Sequence, residues 1–179
     1  MPEPLSQAAA EAIALPRYSE CFVCGRNNRI GLDVTFYYRN GRIQAAFAPK
    51  QEHAGYRDIV HGGVLAALLD ETMGWAAIVS RPAMCVAAEL SIRYKASAKN
   101  DEPLLAYGEL VADRKRLILA RGAIERADGT VLCVGEGKYV PLPEEEQKNV
   151  IHYAGWGDRL EEAYRRIQEA RKGAGEPVD

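Results

Sequence analysis

The sequence predicts an α+β domain in which a strongly curved antiparallel β-sheet wraps one long apolar helix. Three observations carry this. The stretch from Ile59 to Ser80, IVHGGVLAALLDETMGWAAIVS, is apolar nearly all round, and a helix apolar on every side is a buried one. Apolar residues alternate with a period of two before it and again after it, which is the pattern of half-buried strands. The order is two strands, the helix, then about four more strands. One helix cannot cover both faces of a flat sheet, so the sheet curls round it.

The elements follow in order. Leu5 to Leu15 is Ala-rich and predicts a short helix stopped by Pro16. Cys21 to Arg29 (CFVCGRNNR) is polar and turn-rich. Leu32, Val34, Phe36 and Tyr38 alternate, Asn40-Gly41 turns the chain, and Ile43, Ala45 and Phe47 resume the period, which describes a β-hairpin. Pro49 to Val60 reads as a loop before the helix. After Arg81-Pro82, Leu90, Ile92 and Tyr94 share one strand face while Glu89, Ser91, Arg93 and Lys95 share the other. Strands are then expected over Leu104–Ala112 and Leu117–Arg126, and after the turn Ala127–Thr130 over Val131–Val140. Pro141 to Glu146 closes the domain. Gly155 to Lys172 carries Leu160, Tyr164 and Ile167 at helical spacing and predicts an amphipathic C-terminal helix. The expected organisation is an N-terminal extension (1–20), a core domain (21–143) and a C-terminal helical extension (144–179). An open sheet edge on such a core favours pairing with a second copy.

The 179 residues suffice for one domain with a sizeable core. The formal charge of −2 gives no field that would draw nucleic acid or an anionic membrane. The apolar run is broken by Asp70 and Glu71, so it does not read as a membrane span, and the N-terminus lacks the basic start of a signal peptide. A cytoplasmic protein is expected, and the four cysteines do not read as a disulfide framework.

Asp70 is the residue that most needs a reason. An unpartnered carboxylate in a buried helix is costly, and such acids cluster at active sites. Gly62 and Gly63 at the helix start leave N–H groups uncovered where the helix dipole favours developing negative charge, and His61 beside them orients the turn. Gly62 and Asp70 are eight residues apart, roughly 12 Å along a helix. One carbonyl cannot lie within ~3 Å of both. If both act on one substrate, they come from different subunits whose helices meet antiparallel. Small residues at Ala66, Ala67, Gly74 and Ala77 leave room on that face. The plainer alternative is a tight Gly-Gly turn, a structural His61, and Asp70 paired with Arg93 or Arg121 across the sheet.

VHGGVLAALLDETMG resembles the signature of hotdog-fold acyl-CoA thioesterases of the PaaI type. CFVCGRNNRIGLDVTF, AAELSIRYKASA and ADGTVLCVGEGKYVPLP extend the resemblance over about Cys21 to Pro143. It implies a hotdog fold and hydrolysis of acyl-CoA thioesters, with Gly62 as oxyanion donor and Asp70 as general base or nucleophile in facing subunits of a homodimer or dimer of dimers. No metal or dissociable cofactor is implied, CoA being part of the substrate. Two positions depart from the family. Ala54, in His53-Ala54-Gly55, stands where the family often has Asn or Gln, and Ala87 where it often has Thr or Ser. His53 or Glu71 are the candidate substitutes. A non-catalytic acyl-CoA-binding hotdog is therefore an alternative, and a hotdog hydratase or dehydratase using His61 is another.

Two further signals stand outside this helix. Cys21-x-x-Cys24 invites a zinc reading, but zinc takes about four ligands. No second such pair exists, and Cys85, Cys133 and His53 stand alone, so packing is expected and no metal. Arg114-Lys115-Arg116 sits in a turn between strands and suits the phosphates of CoA, with Arg93 and Lys95 as further candidates.

Overall fold

Among the described residues, seven strands form one antiparallel sheet. The computed structural model describes residues 12–81 and 83–173. The strands are β1 (Ile13–Ala14), β2 (Phe36–Arg39), β3 (Arg42–Phe47), β6 (Cys85–Tyr94), β7 (Leu104–Asp113), β8 (Ile118–Arg126) and β9 (Val131–Pro141), side by side in the order β1-β2-β3-β7-β8-β9-β6. A small ribbon, β4 (Ala54–Tyr56) with β5 (Ile59–Val60), leads into the central helix α1 (Gly62–Ile78). Two helices follow the sheet, α2 (Glu144–Tyr153) and α3 (Gly157–Gly173).

The β2–β3 turn forms at Asn40-Gly41 as expected. Asn40 has φ 50° and Gly41 φ 74°. Two consecutive positive φ angles make the turn whose twist matches a hairpin, and Asn-Gly is the pair that tolerates it. Inward-facing Ile43, Ala45, Phe47, Leu104, Ala106, Ile118, Ala120 and Ile124 are buried against α1.

The helix lies very close to the sheet because the strands carry glycine beneath it. Gly108, Gly122 and Gly135 pair in register across β7, β8 and β9. A Cβ on Gly108 would stand 2.6 Å from the Thr72 carbonyl oxygen, and one on Gly122 would meet Met73 at 3.0 Å. The face of α1 that carries Gly62, Ala66, Ala67, Asp70 and Gly74 is only half-buried.

The C-terminal helices join this same core. Leu160, Ala163 and Ile167 of α3 are buried, the rings of Trp156 and Trp75 stand 5.3 Å apart, and the Tyr164 hydroxyl donates to the Ile78 and Arg81 carbonyls at the end of α1. Carbonyls in the last turn of a helix have no partner within it, so Tyr164 completes α1.

Three expectations need correction. The helix placed over Leu5–Leu15 lies largely outside the described residues, and its end is strand: Ile13 pairs with Tyr38 and Ala14 with Tyr37. The free edge of β2 offers hydrogen bonds there, while Ile13 and Leu15 enter the core. Leu32 and Val34 do not extend β2; their N–H groups donate to the Phe22 and Val23 carbonyls. Glu144 to Glu146 is not simply an exit segment but the first turn of α2, where acids complement the helix dipole. Among the described residues, no helix is long and apolar enough to cross a membrane.

Candidate active site

His61 is the N-cap of α1, and its Nδ1 accepts from the Gly63 N–H at 2.9 Å. Gly63 is therefore occupied, which separates it from its neighbour. Gly62 is the first helical residue, so its N–H has no acceptor within the helix. The Gly62 carbonyl accepts from the Tyr94 hydroxyl at 2.8 Å, tying the helix start to β6. His53 supports this cap from behind: its carbonyl accepts from the His61 N–H at 2.8 Å and its Nδ1 from the Lys50 N–H at 2.9 Å. Burial holds the His53 pKa below its ordinary value.

Asp70 lies half-buried in the middle of α1, and its Oδ1 is 3.1 Å from the Tyr139 hydroxyl. Burial raises the Asp70 pKa, and the Tyr139 hydrogen bond pulls it back. Tyr139 itself is pushed far up, by burial first and then by the Asp70 charge. It is a site residue the sequence reading missed. Its signal was there: Cys133, Gly135, Gly137 and Tyr139 fall on one strand face, and a buried tyrosine hydroxyl needs a partner. Ala87 pairs with Tyr139 in register, beside a bulge in β6.

Arg93 and Arg121 do not partner Asp70. Both lie on the sheet face turned away from α1, where Arg121 and Arg42 pair with Glu109 at 2.5 and 2.9 Å. Arg93 and Lys95 line a groove of about 700 Å³ on that outer face with them. Arg114, Lys115 and Arg116 are exposed in the β7–β8 turn, whose Lys115 carbonyl accepts from Arg81 just past α1. Glu71 turns toward the Cys21–Gly25 turn, with Oε1 3.8 Å from Cys21 Sγ, and burial pushes its carboxyl up to about 8.

Residues 58–133 match the family model of the thioesterase superfamily. The crystal structure of a thioesterase superfamily protein superposes with a TM-score of 0.63 at 31% sequence identity, covering 68% of this chain and 60% of that one. The chain thus spans 60% of that relative's length. The Streptococcus pneumoniae TIGR4 hypothetical thioesterase protein with coenzyme A gives 0.54 at 24% identity, over 57% of this chain and 82% of that one. The E. coli PaaI protein from the phenylacetic acid degradation operon gives 0.58 at 17%, over 63% and 81%. These last two speak for the fold. No protein of curated function matches. Residues 58–133 thus match the thioesterase superfamily, and the sheet wrapped round α1 is the hotdog fold of these structures.

Proposed function

We propose that the protein hydrolyses acyl-CoA thioesters at a site shared between two copies of the chain. The observation that carries this is Asp70, a carboxylate on the half-buried face of α1, steadied by the Tyr139 hydroxyl. Coenzyme A in the Streptococcus pneumoniae relative supports a CoA ester as ligand. In this reading Asp70 takes a proton from water, and the hydroxide attacks the thioester carbonyl. The oxygen that becomes negative is held by the Gly62 N–H of the facing subunit. Collapse breaks the C–S bond, and the proton on Asp70 goes to the departing thiolate. A positioned base supplies about 10²–10⁴-fold, and an oxyanion donor about 10²–10³-fold.

A dimer is part of the reading for two reasons. Gly62 and Asp70 are too far apart along one helix to serve one carbonyl. Among the described residues β6 pairs only with β9, and its other edge carries no strand there, with Val86, Leu90 and Tyr94 exposed, a template for a second chain. Ala54 and Ala87, which carry no polar group, favour a second reading in which the protein binds CoA esters without turnover.

Thiol release from a panel of aliphatic and aromatic acyl-CoAs tests the proposal, with wild type beside Asp70→Asn. Hydrolysis that collapses in the variant while ligand still binds supports it. Absence of release from every ester, with binding intact, leaves the binding reading.

A further inference from the structure

We propose that Cys21, Cys24 and Glu71 form a site for a zinc-class divalent cation, which fastens the Cys21–Gly25 turn to α1 beside Asp70. The inference stands apart from the thioesterase reading. It rests first on convergence. The two sulfurs and a carboxylate oxygen all lie within 4.8 Å of one another, although Glu71 is distant in sequence from the cysteines. In a tetrahedral zinc site with bonds of about 2.3 Å to sulfur and 2.1 Å to oxygen, donor atoms stand roughly 3.6–3.8 Å apart. Cys21 Sγ and Glu71 Oε1 are already 3.8 Å apart. Small side-chain rotations close the rest.

The backbone around the cysteines is built for a charged sulfur. The N–H groups of Val23 and Cys24 both point at Cys21 Sγ, at 3.3 and 3.2 Å. Donors aimed at a ligand atom orient it and favour its anionic form. The chain returns so tightly after Cys24 that a Cβ on Gly25 would stand 2.3 Å from the Cys21 carbonyl oxygen. Outer bonds hold the turn: Leu32 N–H to the Phe22 carbonyl, Val34 N–H to the Val23 carbonyl, and Arg17 Nε–H to the Cys24 carbonyl at 2.6 Å. A short turn is thus fixed at the spacing that presents two sulfurs together.

The donor set selects the ion. Two thiolates with one carboxylate suit zinc, whereas magnesium and calcium take oxygen. The thiolates balance the double positive charge, and their protons leave to solvent on binding. With three protein ligands, a water completes the four.

The test uses the full-length chain, reduced and freed of metal. Added Zn²⁺ is expected to bind at one equivalent. Co²⁺ in its place is expected to give sulfur-to-metal charge-transfer absorption, lost in Cys21→Ser/Cys24→Ser, altered in Glu71→Gln and retained in Cys85→Ser/Cys133→Ser. Zn²⁺ should also slow alkylation of Cys21 and Cys24 in the wild type, read peptide by peptide, so the result does not depend on a variant folding. Failure of the reduced wild type to take up either ion would overturn the proposal. So would uptake that survives loss of both cysteines, or alkylation rates indifferent to zinc.

Discussion

The Tyr139 hydroxyl stands 3.1 Å from Asp70 Oδ1 and 3.0 Å from the Asp70 backbone carbonyl oxygen, so one proton serves both the side chain and the main chain of the same residue. The tyrosine ring is seated closely, since a Cβ on Gly137 would fall 2.5 Å from it and one on Gly74 3.5 Å. A donor held this firmly fixes the rotamer of the carboxylate rather than merely neighbouring it.

Tyr139→Phe removes that donor and leaves the ring. Stability should fall by about 1 kcal/mol, the worth of one internal hydrogen bond. The bond favours the charged form of Asp70, so its loss raises the Asp70 pKa. A base works only when deprotonated. The acidic limb of the kcat/KM profile should therefore move to higher pH, with KM little changed. A limb that stays in place would separate Tyr139 from Asp70's chemistry.

Gly62→Pro tests the oxyanion donor alone. Proline is well tolerated at the first helical position, and His61 at φ −62° and ψ 133° already has the backbone that a following proline requires. A Cβ there would meet the far end of the exposed Tyr94 ring at 3.3 Å. Helix content should be kept and turnover should fall about 10²–10³-fold. Near-wild-type turnover in a folded variant would remove Gly62 from the reaction.

Mixing the two defects reports on where the site lies. In a dimer combining Asp70→Asn with Gly62→Pro, a shared site leaves one active site whole and concentrates both defects in the other. Random assortment makes half the dimers mixed, so co-refolded protein should regain about a quarter of the wild-type rate. A site contained within each chain predicts no recovery.

Gly108→Ala probes the contact between helix and sheet. The new methyl meets backbone, not a side chain that can swing aside. Overpacking of this kind costs roughly 1–3 kcal/mol. The denaturant midpoint should drop with an unchanged slope.

His53 should give the fold a pH dependence. Its folded pKa lies below the unfolded one because burial disfavours the cation. The unfolded chain then binds the proton first, so stability falls as pH drops below about 6.5 and levels off once the folded pKa is passed. Protonation also removes the acceptor that holds the Lys50 N–H. In His53→Gln this component of the wild-type curve should vanish.

Much of this fold and site is legible in the sequence. The Asn-Gly turn, the four late strands and the helix with Asp70 at its centre follow from local chemistry and period, which a single stretch of chain displays. What stayed hidden depends on distant partners. Ile13 became strand because β2 had a free edge, overriding an Ala-rich segment's helical preference. Sequence adjacency to Asp70 makes Glu71 a candidate substitute for the family's missing polar group, yet consecutive helical residues point about 100° apart, and Glu71 turns toward Cys21. The cysteines looked one or two ligands short because the third donor lies in another element. Tyr139 was concealed for the same reason: its partner is on α1, and no spacing along β9 names it.

The row of glycines under Thr72 and Met73 has a consequence for where an acyl chain can go. At Gly108 the strand backbone meets the Thr72 carbonyl directly, and at Gly122 and Gly135 the Met73 and Leu69 side chains fill the space, so helix and sheet are packed together beside Asp70. A chain entering to meet that carboxylate must run along the helix's open side, through space bounded by whatever covers that side. Acyl length would then be gauged by residues such as Ala66, Ala67 and Gly74, and widening the sheet's inner surface would not change which esters fit.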